Sequence, residues 1–188
     1  MNSGEHAAVQ EPGLLRRFLN LLVWLGFVAL MSYLTFAYVG HAYAVPSGSM
    51  EETIMTGDHV LAEKVSYRFR DPEPGDIVMF QDPEVPGRLL LKRCIAVGGQ
   101  TVDVNDEDGL VYVDGVALSE PYTNGLPTYS LANGVSYPYA VPEGMMWMMG
   151  DNRTNSQDSR FFGAVPASSA EARSVAVLWP LNDLGFLE

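Results

Sequence analysis

Two hydroxyl groups in one short segment of the sequence are suited to nucleophilic catalysis. The segment is Pro46-Ser47-Gly48-Ser49-Met50. One serine could act as a nucleophile, and the other hydroxyl could help to stabilise the oxyanion that forms when a carbonyl is attacked. Pro46 fixes one φ angle, and Gly48 allows a bend or a close approach to a ligand. The same composition is typical of an ordinary turn, so the segment alone leaves both interpretations open.

A lysine inside an apolar run could supply the matching base. The run Leu89–Val97 is apolar except for Lys92 and Arg93, which is typical of a strand buried on both faces. Alternation places Lys92 on the same face as Leu90 and Cys94. Burial among such groups disfavours the ammonium, lowers its pKa and leaves an amine that can accept a proton. Alternatively, the lysine forms a salt bridge, or its strand lies at a sheet edge and the amine reaches water.

A third stretch is polar and follows the apolar run Met145–Met149. Residues 150–160 read GDNRTNSQDSR. Such a composition is typical of a solvated loop, and Asp158 and Arg160 could pair to hold it in shape. The preceding methionine-rich run is interpreted either as a core strand or as part of an apolar face that meets lipid and substrate.

Other candidate nucleophiles and bases fit less well. The histidines are His6, His41 and His59. A Ser-His-Asp triad would need His41 or His59 in place, and His59 is interpreted as an exposed residue at the start of a strand. Cys94 is interpreted as a small buried hydrophobe, because a thiolate inside an apolar run is costly.

The elements that must position these groups are mostly β-strands. After residue 45, short apolar runs alternate with Gly, Pro, Asp and Asn, without a convincing 3.6-residue period. The predicted strands are Ile77–Phe80, Leu89–Val97, Leu110–Val113, Val116–Leu118, Met145–Met149 and Ser174–Trp179. Asp114-Gly115 predicts a type I′ hairpin turn. Pro121–Pro142 predicts a long loop or an inserted ribbon, and Ser168–Arg173 predicts a short helix.

The N-terminal part predicts a membrane anchor. Residues 18–39 are 22 residues without a charge, and a helix of this length crosses a hydrocarbon core of about 30 Å. Arg16 and Arg17 precede this span, so the positive-inside tendency places residues 1–17 in the cytoplasm. Residues 40–188 then lie outside the cytoplasmic membrane.

A cleavable signal sequence is the alternative to a retained anchor. Ala42-Tyr43-Ala44 has the A-x-A form of a cleavage site. An apolar region of 22 residues is long for a signal sequence, so the retained transmembrane helix is favoured.

Composition restricts the partners of the chain. The formal net charge is −12, which argues against nucleic acid as a partner. The acidic excess lies in residues 40–188, since residues 1–39 carry two acidic and two basic side chains. Cys94 is the single cysteine, so no internal disulfide can form.

In this order, and behind an N-terminal anchor, the three stretches resemble the bacterial type I signal peptidase (leader peptidase) family of Ser-Lys dyad serine proteases. Pro46–Met50, followed by Gly57-Asp58, looks like the nucleophile block of that family. Lys92-Arg93 looks like its general-base block, and GDNRTNSQDSR is similar to its most distinctive signature. The resemblance extends over nearly all of residues 14–166.

Site residues follow from this resemblance by position. It implies that Ser49 is the nucleophile and Lys92 the base. The Ser47 hydroxyl and the Ser49 backbone amide would form the oxyanion hole, and Ser156 would orient the base. Two further positions, Asp158 and Arg160, would form a supporting ion pair.

The resemblance also implies a fold and a substrate. The fold is mainly β, an antiparallel β-sheet catalytic domain with one N-terminal transmembrane helix and an apolar surface resting on the lipid bilayer. The substrates would be signal peptides of exported preproteins with small residues at −1 and −3, bound as an added strand. Neither a cofactor nor a metal is expected.

Two departures from the family pattern and three rival functions remain. Glu51-Glu52-Thr53 stands where a Pro-Thr pair is usual, and Gln100 stands after Gly99 where Asp is usual. A soluble self-cleaving Ser-Lys repressor is disfavoured by the uncharged span. The others are a membrane-tethered peptide-binding module without catalysis and a peptidase devoted to one secreted partner.

Overall fold

The uncharged N-terminal segment forms a helix, α1, over Leu14–Tyr38. The structure, a computed structural model, describes residues 13–38 and 40–187. The chain is divided into two compact units, of which the first ends at Ala37 and the second begins at Tyr38. In the first unit, the helix is long and apolar enough over Leu14–Thr35 to cross a membrane, and its side chains there are exposed.

The second unit is built from strands, as the apolar runs predict. These are β1 Gly40–Ala44, β2 His59–Glu63, β3 Ile77–Gln81, β4 Leu89–Val97, β5 Thr101–Asn105, β6 Leu110–Val113, β7 Val116–Ala117, β8 Tyr139–Ala140, β9 Met145–Met149, β10 Val165–Pro166, β11 Ala170–Trp179 and β12 Gly185–Phe186. A single-turn helix, α2, spans Ser159–Phe162. The prediction of a mainly antiparallel β fold with one apolar N-terminal helix is confirmed.

Two antiparallel sheets make up this unit. The larger has the order β1-β2-β11-β3-β4-β9-β10, with β12 paired to β11, and the smaller has the order β7-β6-β5-β8. Strand β4 lies inside the larger sheet. It pairs with β3 over Leu89–Arg93 and with β9 over Arg93–Val97. Leu89–Leu91 therefore keep one backbone edge that no described strand covers.

One sequence prediction is wrong. Ser168–Arg173 is not a helix, because a 3₁₀ turn over Ala167–Ser169 leads directly into β11. This strand pairs with β2 on one side and β3 on the other, so tertiary pairing overrides the local helix preference. The side chains of Ala172 and Ser174 alternate inward with period two.

The methionine-rich run is a core strand. Met146, Trp147, Met148 and Met149 are fully buried in β9. They pack between a cluster around Val102 and Val111 of the smaller sheet and a cluster around Val78 and Phe80 of the larger one. Strand β9 thus joins the two sheets and carries the chain directly into residues 150–160.

Smaller features agree with their sequence signals. Asp114 and Gly115 both have positive φ, 52° and 78°, as a type I′ turn between β6 and β7 requires. The segment Pro121–Pro142 is a long loop rather than an inserted ribbon, and only β8 within it pairs with the smaller sheet.

Candidate active site

Ser49 lies in a single 3₁₀ turn, Gly48–Met50, shortly after β1. Ser47 precedes this turn in extended conformation, with φ −135° and ψ 153°. The Met50 side chain is fully buried with Ile54 in the core, which anchors the turn. Ser49 is 7% exposed, and its side chain borders a cleft.

Lys92 reaches this turn from the middle of the larger sheet. Its Nζ lies 2.6 Å from Ser49 Oγ and 3.0 Å from the carbonyl oxygen of Leu91. The residue is 3% exposed, and β4 has partners on both sides. No carboxylate of the described residues lies within 4.0 Å of the amine. The salt-bridge and sheet-edge alternatives are therefore both wrong.

Burial controls the titration of this lysine. Desolvation lowers the pKa of Lys92 from 10.5 to about 8. The carboxylates of Asp158, Asp151 and Asp82 act in the opposite direction but do not cancel the effect. An amine in this state can hold or release a proton near neutral pH.

The cleft beside the dyad is mainly apolar. It has a volume of about 200 Å³. Its lining comes from the segment Tyr43–Met50 without Gly48, from Met79 and from Leu89–Lys92. Ser47 belongs to this lining, and its Oγ lies 3.5 Å from Ser49 Oγ. The role of Ser47 in an oxyanion hole stays a prediction.

The polar loop after β9 forms hydrogen bonds to the turn that carries Ser49 and packs closely against it. The backbone N–H of Asn152 donates to the Ser49 carbonyl at 3.1 Å, and its side-chain amide donates to the Gly48 carbonyl at 3.1 Å. A Cβ at Gly150 would collide with the Ser49 carbonyl oxygen and with Ser156 Oγ. Only glycine allows the loop to approach this closely.

Ser156 lies at the same junction. Its Oγ is buried and has no hydrogen-bond partner among the described residues. The structure therefore brings Ser156 beside Gly150 and the Ser49 backbone but forms no hydrogen bond from it to Lys92. Its role in orienting the base stays a prediction.

Asp158 and Arg160 hold the loop in shape. Arg160 donates from Nε and Nη2 to the two oxygens of Asp158, at 2.9 and 3.0 Å. The same carboxylate accepts the backbone N–H of Gly150 at 3.1 Å, and Arg160 also donates to the Arg153 carbonyl at 2.8 Å. Through these bonds, the ion pair near the end of the loop holds the backbone at its start.

Asp151 is a site residue to which sequence reasoning gave no role. Its carboxylate accepts two hydrogen bonds from Arg93, at 2.9 and 2.8 Å, and one from Thr53 Oγ1 at 2.6 Å. It therefore ties the segment after Ser49 to the residue after Lys92. An arginine inside a buried run requires a counter-ion, and that requirement was the available signal.

The rival groups lie elsewhere. His59 is exposed at the start of β2 and does not line the cleft. Cys94 is fully buried, and burial raises the pKa of its thiol to about 12. The described residues contain no group of three His, Cys, Asp or Glu side chains that could hold a metal ion. The arrangement at the cleft is suited to acyl transfer through a serine and a lysine.

Comparisons with known proteins match the chain to one family. The family model described as signal peptidase, peptidase S26, matches residues 18–179. The probable signal peptidase I-1 of Synechocystis is 38% identical to this chain, and the match covers 80% of this chain and 76% of the relative. Signal peptidase I of Mycobacterium tuberculosis is 32% identical, with 91% and 74% covered.

A solved structure gives a further match. The crystal structure of a signal peptidase I from Enterococcus faecalis is 32% identical, with a TM-score of 0.45, covering 55% of this chain and 97% of that chain. Since the family model spans most of the sequence and relatives above 30% identity cover more than two thirds of it, the predicted resemblance is confirmed. The chain belongs to the signal peptidase family, peptidase S26, of serine proteases that remove signal peptides.

Proposed function

We propose that the protein is a membrane-bound signal peptidase in which Ser49 is the nucleophile and Lys92 its general base. The observation that carries this proposal is the 2.6 Å separation between Lys92 Nζ and Ser49 Oγ at a buried lysine. With a pKa of about 8, roughly a tenth of the lysine is neutral at pH 7. A neutral amine at this distance can accept the hydroxyl proton directly.

The reaction proceeds in two acyl-transfer steps. Ser49 Oγ bonds to the scissile carbonyl carbon while its proton moves to Lys92 Nζ. The ammonium gives this proton to the leaving amine as the C–N bond breaks, and an ester on Ser49 remains. Lys92, neutral again, then takes a proton from the water that attacks the ester, and the ammonium returns it to Ser49 Oγ as the acid product leaves.

Neighbouring groups support these steps. The Ser49 backbone N–H and the Ser47 hydroxyl donate to the oxyanion, each contributing about 3 kcal/mol in comparable sites. Ser156 orients the amine, and its buried hydroxyl, unpartnered among the described residues, is available for that contact. Asp158 and Arg160 keep the loop that carries Ser156 in place.

The cleft favours an extended peptide with small side chains. Leu89–Leu91 present a backbone edge that no described strand covers, and the cleft lies beside them. A peptide that adds to this edge runs toward Ser49 with alternate side chains directed into the cleft. A volume of about 200 Å³, closed by apolar side chains, suits the small residues of an A-x-A site.

The anchor sets the topology. Arg16 and Arg17 lie at the N-terminal end of α1, and no Lys or Arg follows until Lys64. The N-terminus therefore faces the cytoplasm and residues 40–188 lie outside the cytoplasmic membrane. Protease added to intact cells should remove a C-terminal tag and spare an N-terminal one. The reverse pattern would invert this topology.

A retained anchor is supported by the position of the A-x-A sequence within the chain. Ala42 and Ala44 lie in β1 and pair with β2. Tyr43, between them, packs against two clusters of the core. Cleavage after Ala44 would remove an edge strand from the larger sheet. The C-terminally tagged protein recovered from membranes should therefore have the mass of the full chain; a mass lacking residues 1–44 would contradict this.

The test is cleavage of a preprotein that carries an A-x-A site, by the full chain in detergent. The enzymes compared are wild type, Ser49→Ala and Lys92→Ala, with Lys64→Ala as the matched control, since Lys64 lines no part of the cleft. Cutting should follow the second alanine. Each dyad variant should lose activity by about 10³-fold or more while its unfolding temperature stays near that of wild type.

The outcomes separate the candidate functions. An active Ser49→Ala or Lys92→Ala variant would rule out the dyad. A wild type that binds the preprotein without cutting it would identify the chain as a peptide-binding module instead. Comparison of several unrelated preproteins separates a general enzyme from a peptidase devoted to one partner.

A further inference from the structure

The loop between β7 and β8 folds back onto the residues behind the dyad. Near its start, Pro121–Thr123 form a 3₁₀ turn. The Tyr122 ring lies over the guanidinium of Arg93, with Cζ 4.0 Å from the ring centroid. Arg93 is the residue after Lys92, so a ring from outside the larger sheet covers the neighbour of the base.

A second contact runs from the same loop to the loop behind Ser49. Glu120 pairs with both terminal nitrogens of Arg153, at 3.0 and 2.5 Å, and accepts the Tyr122 hydroxyl at 2.9 Å. Arg153 is fully buried and also donates to Thr128 Oγ1 at 2.6 Å. Its Nε donates to the Gly150 carbonyl at 3.0 Å. We call Glu120 and Tyr122 the clasp.

One contact ends at the residue after Lys92, and the other leads to a residue that packs on the Ser49 backbone. Asp151 holds the edge of the Arg93 guanidinium, and Tyr122 covers one of its faces. Gly150, which Arg153 holds through its carbonyl, packs on the Ser49 backbone. The clasp therefore connects the strand that carries the base with the loop that supports the nucleophile.

The clasp itself lies away from the substrate. Neither Glu120 nor Tyr122 lines the cleft. A cation–π contact is stronger at a desolvated arginine than at an exposed one, and a displacement of about 1 Å at a catalytic group can cost about 10²-fold in rate. Loss of the ring would expose one face of the Arg93 guanidinium to water and loosen its pairing with Asp151.

We propose that Tyr122, held by Glu120, is a positioning residue that sets the distance between Lys92 and Ser49 through Arg93 and Arg153. This inference rests on the proposed function of Ser49 and Lys92. It predicts a defect in the rate of the chemical step rather than in substrate binding.

The test measures kcat, KM and the pH dependence of kcat for the full chain in detergent with an A-x-A preprotein. In Tyr122→Leu, kcat should fall about tenfold or more while KM changes by less than about twofold. The acid limb of kcat should move to higher pH, since an Asp151 carboxylate that Arg93 neutralises less raises the pKa of the Lys92 amine. Tyr122→Phe keeps the ring over Arg93 and should restore kcat to within about threefold of wild type.

Matched variants separate positioning from general stability. Tyr129 belongs to the same loop but is 51% exposed, so Tyr129→Leu should leave kcat and its pH profile unchanged. Glu120→Gln keeps the ring and weakens the tie to Arg153. It should lower kcat about threefold and move the acid limb in the same direction as Tyr122→Leu.

The failures are distinguishable. If the Ser49→Ala and Lys92→Ala variants are inactive but Tyr122→Leu keeps the wild-type kcat and pH profile, the clasp has no positioning role and the proposed function stands. A kcat that falls only with the folded fraction, without a shifted limb, also overturns the proposal. Should Tyr122→Leu not fold, an unchanged Glu120→Gln overturns it. Active Ser49→Ala or Lys92→Ala variants overturn both proposals.

Discussion

Lys92 and Arg93 are consecutive buried cations on one strand, yet their surroundings differ. Arg93 meets the Asp151 carboxylate through two hydrogen bonds, and Tyr122 covers its face. Lys92, on the other face of β4, contacts Ser49 Oγ and a carbonyl, and no carboxylate of the described residues lies within 4.0 Å of it. A buried cation with a counter-ion keeps its charge, and one without it has a lowered pKa. The strand thus presents a structural cation on one face and a base on the other.

Arg93→Met should have the largest effect of these variants on the free energy of unfolding, because it removes the paired cation of the two. It would leave the fully buried Asp151 without its cation, at a cost of about 3–5 kcal/mol in the free energy of unfolding. Urea unfolding of the full chain in detergent measures this cost.

The matched control for Arg93→Met removes both charges. In Arg93→Met combined with Asp151→Leu, no buried charge remains unpaired, and more than half of the lost stability should return. If Arg93→Met alone lowers the free energy of unfolding by less than about 1 kcal/mol, the buried Asp151 carboxylate does not need Arg93 as its counter-ion.

Lys92→Met should raise the free energy of unfolding, whereas Arg93→Met lowers it. The size of the increase should depend on pH. The pKa of Lys92 is lowered from 10.5 to about 8 in the folded state, which corresponds to about 3 kcal/mol. Below pH 8 both states bind the proton, so the wild type bears the full cost of the buried charge. Between pH 8 and 10.5 the folded state releases its proton first, so wild-type stability rises relative to the variant.

Unfolding titrations of wild type and Lys92→Met at pH 7 and pH 10 measure this difference. The variant should be the more stable protein at pH 7, and its advantage should shrink as the pH rises. An advantage that is the same at both pH values would mean that Lys92 titrates normally, which would remove the physical basis for its role as a base.

The two cations also show what the sequence could predict. A nine-residue run that is apolar except for Lys92 and Arg93 identified β4. It offered a buried base as one interpretation of Lys92, beside a salt bridge or a sheet edge, because local pattern and burial are linked. The order of three weak segments then identified the family. Each of these patterns lies within one short stretch of residues, so it can be recognised from the sequence alone.

Contacts between distant segments were not predictable in the same way. Asp151 lies 58 residues from Arg93 in sequence, and nothing near either residue indicates the pairing. Tyr122 was assigned only to a loop, although it covers the residue next to the base. The strand at Ala170–Trp179 was partly mistaken for a helix because its partners, β2 and β3, lie far away in the chain.

The smallest expected effect concerns two charges near the turn between β3 and β4. Asp82 and Arg88 form an ion pair there, and they shift the pKa of Lys92 in opposite directions, Asp82 upward and Arg88 downward. Asp82→Asn should therefore move the acid limb of kcat/KM to lower pH, and Arg88→Gln should move it to higher pH, each by a few tenths of a unit. Both shifts should shrink at about 1 M salt, where the Debye length is about 3 Å. Shifts of the same sign, or shifts that salt does not reduce, would indicate altered packing around Lys92. The low pKa of the base would then depend on the shape of the cleft more than on the charges around it.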